Sequence, residues 1–133
     1  MRRALLASDA IYVPDTKAST PGIHVANVLQ QLGIATEVAD RLKIFPNGAT
    51  AMREMSVSKA RRPIGCTQST EIISTGGVTL SGPLPQGCDL ATTYTAGVTV
   101  TAAHSQQAQA LIGLLTGTGQ QEQRKRAGFI SGR

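Results

Sequence analysis

Three short stretches of this 133-residue chain carry the hydroxyl, amide and glycine groups that can hold a small molecule. They are Ser19-Thr20-Pro21-Gly22, Asn47-Gly48-Ala49 and Thr67-Gln68-Ser69-Thr70. Each follows a β-prone run and opens a segment of helical character. A helix start offers unpaired backbone N–H groups and about half a positive charge, and it attracts anions. Ser19 and Thr20 add hydroxyl donors, and Pro21 suits the first helical position behind a Ser19 or Thr20 cap. Any one of these turns, taken singly, reads as a capped helix. Three of them at the carboxyl ends of parallel strands form the crevice where open α/β sheets hold their ligands.

The residues that do bond-making chemistry are sparse. His24 and His104 lie far apart in the chain, neither with a carboxylate at catalytic spacing. Cys66 falls in an apolar run, where a packing thiol is the default, and whether it pairs with Cys88 is open. With only eight Asp and Glu residues, no Asp-x-Asp or Glu-x-x-His element occurs, nor a P-loop, a dinucleotide glycine fingerprint or metal-ligand spacing. The expectation is binding without catalysis, metal or cofactor.

The elements that must position these turns follow from periodicity. Ala10-Ile11-Tyr12-Val13 reads as a buried strand. From Pro21 onward, Ile23, Val25, Val28, Leu29 and Leu32 recur near helical spacing until Gly33 stops them. Leu42-Lys43-Ile44-Phe45 predicts a second strand, 49–59 a helix, 64–67 a third strand, 68–74 a short helix and 78–80 a fourth strand. Residues 92–102 form a long β-prone stretch. Ala108, Leu111, Ile112 and Leu115 mark a C-terminal helix, followed after Gly117-Thr118-Gly119 by a polar helical run over 120–126. Strands alternating with helices predict an α/β fold, a mainly parallel sheet covered on both faces.

Composition narrows the partners. The 41% apolar fraction is enough for a core and against disorder, whereas 3% aromatic content leaves too few rings for stacking on single-stranded nucleic acid. The net charge is +5, and several of the basic residues (Arg2, Arg3, Arg61, Arg62, Arg124, Lys125, Arg126 and Arg133) sit at the edges and middle of the chain rather than along one helical face, so no nucleic-acid partner is expected. Ala4-Leu5-Leu6-Ala7 behind Met1-Arg2-Arg3 is shorter than the ~7–15 apolar residues of a signal-peptide core, and reads as the end of a helix leading into the first strand.

The order of motifs is informative beyond its parts. Ile11-Tyr12-Val13-Pro14-Asp15, a Ser/Thr loop, Gly22-Ile23-His24, Leu32-Gly33-Ile34, Pro63-Ile64-Gly65-Cys66-Thr67-Gln68-Ser69-Thr70-Glu71-Ile72, Gly82-Pro83-Leu84-Pro85 and Thr93-Tyr94-Thr95-Ala96 resemble the second lobe of molybdate-binding-type periplasmic proteins. Ala110-Leu111-Ile112 and Arg126-Ala127-Gly128-Phe129 are similar to their terminal helices. The resemblance covers nearly the whole chain. It implies a type II periplasmic-binding-protein lobe and the solute-binding component of an ABC transporter, with a small anionic ligand (a molybdate-like oxyanion or a carboxylate) and a permease partner.

Carried over position by position, the resemblance implies ligand contacts at Ser19, Thr20, Gly22, Thr67 and Tyr94. Pro21 departs from the pattern, since it has no N–H to donate. The resemblance also divides the chain into a ligand-binding lobe, residues 1–95, and residues 96–133, whose helices cover a first lobe in relatives. The chain starts where that second lobe starts, as a fragment, a truncated product or one part of a split protein. The resemblance implies a periplasmic location, whereas the short apolar run behind Met1-Arg2-Arg3 predicts a cytoplasmic one if the chain is the complete product. Leu111, Ile112, Leu114 and Leu115, left without a first lobe to cover, predict a homo-oligomer built on residues from about 95 to 130, assisted by strand exchange through 92–102. A small-carboxylate isomerase on the same scaffold, a truncated lobe without ligand binding and an effector-sensing module are the competing readings.

Overall fold

The computed structural model describes residues 1–130. The chain divides into two compact units, Met1–Leu90 and Ala91–Arg133.

In the first unit, β1 (Ala10–Pro14), β2 (Leu42–Phe45) and β3 (Pro63–Gly65) form a parallel sheet in the order β2-β1-β3. Ile11 stands opposite Leu42 on one side and Ile64 on the other, and Tyr12 opposite Lys43 and Gly65. As the central strand, β1 is buried along all five residues, which is why it reads as an unbroken apolar run rather than an alternation. Its side chains nonetheless alternate between the two faces. Ile11 and Val13 pack with Leu5, Val25, Leu29, Ile34 and Val38, which brings in α1 (Arg2–Ala7) and α2 (Thr20–Gln31). Ala10 and Tyr12 pack with Ala51 and Met52 of α3 (Gly48–Ser56). Full burial of each large aliphatic chain stabilises the fold by about 1.5–3 kcal/mol.

Polar groups in this core are paired. The Tyr12 ring stacks parallel on Phe45 at 5.8 Å between centroids, and its hydroxyl donates to Ser58 Oγ at 2.8 Å. The Asp9 carboxylate accepts from the N–H groups of Arg61 and Arg62 at 2.9 and 3.0 Å, tying the approach to β3 against that of β1. Gly33, at φ 65°, ends α2, and the Ile34 N–H bonds back to the Leu29 carbonyl at 3.1 Å. This left-handed closure favours glycine.

The predicted elements of this unit need three corrections. The third strand is Pro63–Gly65 rather than 64–67, and Cys66 lies just past it, partly covered. Residues 78–80 are not a strand; Val78 packs against the α3-side core instead of joining a sheet edge. The α3 helix ends at Ser56, short of residue 59. The short helix expected at 68–74 is α4 (Ser69–Ile73).

In the second unit, α5 (Ser105–Thr116) is followed by a 3-10 turn and α6 (Gln121–Arg126). Arg124 Nη1 donates to the carbonyls of Leu115 and Gly117 at 2.7 and 2.9 Å, closing the end of α5. Residues 92–102 contain no strand. Threonine, valine and tyrosine favour a strand only where a neighbour supplies hydrogen bonds, and among the described residues no strand pairs with this stretch. Among the described residues, no helix is long and apolar enough to cross a membrane.

Candidate functional site

Because the three strands are parallel, the turns that follow them gather at one end of the sheet. The chain leaves β1 for β2 on one side and returns to β3 on the other. The turns after β1 and β3 therefore flank the point where strand order reverses, the usual ligand position in open α/β sheets.

At the start of α2, Asp15 Oδ1 accepts the N–H groups of Lys17 and Ala18 at 2.7 and 3.0 Å. These two bonds hold its carboxyl below the usual carboxylate range. Ser19 is the N-cap: its Oγ accepts from the Gly22 N–H at 3.3 Å, its carbonyl from Ile23 at 2.8 Å, and its own N–H donates to the Asp15 carbonyl at 3.1 Å. Pro21 brings no donor. Thr20, the first residue of α2, contributes a hydroxyl and a backbone N–H to this turn. A Cβ at Gly22 would lie 2.6 Å from the Pro14 carbonyl oxygen and closer still to that of Asp15, so glycine lets α2 sit directly on the end of β1.

At the start of α3, Asn47 Oδ1 accepts from Thr50 N–H at 2.8 Å. The Ala49 N–H donates to Oε1 of Glu71, in α4, at 3.2 Å. The other carboxylate oxygen of Glu71 accepts a short hydrogen bond from the Thr67 hydroxyl. A Cβ at Gly48 would overlap both the Glu71 carboxylate and Thr67 Oγ1, so this cluster requires glycine there. Thr67 is half-buried, held by the preceding Cys66 N–H, which donates to the Tyr12 carbonyl at 3.0 Å.

Ser19, Thr20, Gly22 and Thr67 thus belong to the first unit, on the turns at the carboxyl end of its sheet. Tyr94 belongs to the second unit, where its ring meets Phe129 edge-on at 5.9 Å. His24 is structural: Nε2 donates to the Cys88 carbonyl at 2.8 Å and pins that segment to α2. Sequence reading missed Glu71. Its spacing four residues after Thr67, across a helix start, was a local signal for the hydroxyl–carboxylate bond, but its partners Gly48 and Ala49 come from another element.

Cys66 and Cys88 are both free thiols. Burial pushes the Cys66 thiol up from 9.0 to about 11. The thiolate forms more readily in the unfolded chain, so this group's contribution to stability is complete below pH 9.0 and is lost as pH rises toward about 11. Denaturant midpoints should fall across that window in the parent protein and hold flatter in Cys66→Ala. At neutral pH, Cys66 should react with iodoacetamide far more slowly than a free thiol, and rapid labelling of the folded protein would contradict the burial.

Comparison with known proteins gives one finding. The family model described as bacterial extracellular solute-binding protein matches residues 2–130. No curated protein and no solved structure gives a significant match.

Proposed function

We propose that this chain, which belongs to the bacterial extracellular solute-binding protein family, presents its ligand to an ABC-type permease in the periplasm and binds it without turnover. The ligand of this reading is a small anion, a molybdate-like oxyanion or a carboxylate. The observation that supports it best is the gathering of three strand-to-helix turns at one end of a parallel sheet. Thr20 offers an anion a hydroxyl and a backbone N–H at the start of a twelve-residue helix. Thr67 lies on the turn across the strand-order reversal, and Tyr94 enters through the family likeness. The exposed leucines of α5 support self-association.

Titration calorimetry of the wild-type chain with molybdate, sulfate and small carboxylates tests the reading. Thr20→Val and Thr67→Val should each weaken binding about tenfold or more, since a buried polar group of the ligand then loses its partner at about 1–3 kcal/mol. Wild-type affinity in Thr20→Val, Thr67→Val and Tyr94→Phe alike would remove the site from these residues.

A further inference from the structure

The Thr67 hydroxyl has one proton, and that proton is donated to Glu71. A carboxylate only accepts, so the direction of this bond is set by chemistry. What Thr67 keeps for a ligand is therefore an acceptor. The start of α3 is similarly engaged: the Ala49 N–H goes to Glu71, the Thr50 N–H to Asn47 Oδ1 and the Ala51 N–H to the Asn47 carbonyl at 3.1 Å. The Glu71 carboxylate occupies the place a bound anion would take, and Gly48 makes the room for it. A fully deprotonated oxyanion arriving here meets a like charge and finds no donor on Thr67. At the Thr20 turn the Asp15 carboxylate is already held by the Lys17 and Ala18 N–H groups, and the cap of α2 is the neutral Ser19 hydroxyl rather than a carboxylate.

We propose that Glu71 is the specificity-determining residue of this lobe. It turns away molybdate-like oxyanions and selects a carboxylate that also carries a hydrogen-bond donor, a hydroxyl or ammonium group, which donates to Thr67 while the carboxylate meets the Thr20 turn. This rests on the reading of the strand-end turns as the ligand site.

Glu71→Gln inverts the chemistry with little change of shape. The amide oxygen still accepts from Ala49, whereas the NH2 group donates to Thr67 Oγ1 and frees the threonine proton for an anion. Calorimetry compares the wild-type chain with Glu71→Gln for sulfate, molybdate, lactate and propionate, the last two differing by the hydroxyl. The wild type is expected to prefer lactate over propionate about tenfold, the cost of one unmade hydrogen bond, and to bind neither oxyanion. Glu71→Gln is expected to gain sulfate and molybdate by about tenfold or more and to lose the lactate preference. Circular dichroism checks the fold, and Glu71→Ala, which also removes the charge, is the second variant. Saturable oxyanion binding by the wild type that neither variant tightens overturns the role of Glu71. So does a wild type that binds lactate and propionate equally. A wild type that binds neither carboxylate, beside variants that gain sulfate, supports exclusion by Glu71 and counts instead against the strand-end turns as a carboxylate site.

Discussion

Gly22→Ala should destabilise the first unit by about 3 kcal/mol, at the upper end of what overpacking usually costs. The added methyl would press on the carbonyl oxygens of Pro14 and Asp15. These are backbone atoms at the end of the central strand, so neither can swing aside as a flexible side chain does. Relief comes only by lifting the start of α2, which pulls Val25 and Leu29 away from Ile11 and Val13. The Thr20 turn moves with the helix, and solute affinity should fall in step. Gly33→Ala is the control: its Cβ meets nothing within 4 Å, and its φ of 65° leaves only the left-handed backbone cost, about 1–2 kcal/mol. For a unit of this size each kcal/mol lowers the melting temperature by roughly 4–8 °C. Thermal melts should rank wild type, Gly33→Ala and Gly22→Ala in descending order. A Gly22→Ala protein as stable as Gly33→Ala would show that α2 does not rest on β1 as described.

The second large effect concerns assembly. Leu111, Leu114 and Leu115 of α5 are 56, 59 and 56% exposed. Covering such side chains is worth up to about 1.5–3 kcal/mol each, and a contiguous group of them is a surface that seeks a partner. We expect the chain to form a homodimer through α5, and Leu111→Glu combined with Leu115→Glu to return it to monomer. Helix pairing has to account for this by itself, because residues 92–102 form no strand that two copies could exchange. Light scattering on wild type and double variant at micromolar concentration measures the change. The charges alter only exposed positions, so circular dichroism should be unchanged between the two proteins. A wild-type monomer whose α5 amides resist hydrogen exchange would mean that the chain covers this face itself.

Much of the first unit was legible in the residues themselves. The Ser19 cap, Pro21 in the first turn and Gly33 at the end bracket α2 through bonds made within the segment: Gly22 N–H to Ser19 Oγ, Ile34 N–H to the Leu29 carbonyl. The apolar run at β1 was equally plain, because a central parallel strand is buried on both faces and carries no polar alternation to confuse it. The start and stop of α2 and the parallel α/β arrangement therefore followed from local chemistry.

Strands at the margin were another matter. Residues 78–80 and 92–102 have the composition of strands, yet a strand exists only if another segment offers its N–H and C=O groups in register, and composition does not report whether that partner is there. The site shows the same division. Each of the three turns was visible as a helix start, two of them capped by Ser19 and Asn47, and parallel pairing then placed them at one end. The engagement of Thr67 was not visible, since it depends on Glu71 from one helix meeting Gly48 and Ala49 from another. Sequence alone determined which hydroxyl and N–H groups stand at helix starts, because capping and helical periodicity are satisfied within a few residues. Tertiary structure alone decided which of those groups remain available, because a donor is spent or free according to what the rest of the chain brings within 3 Å of it.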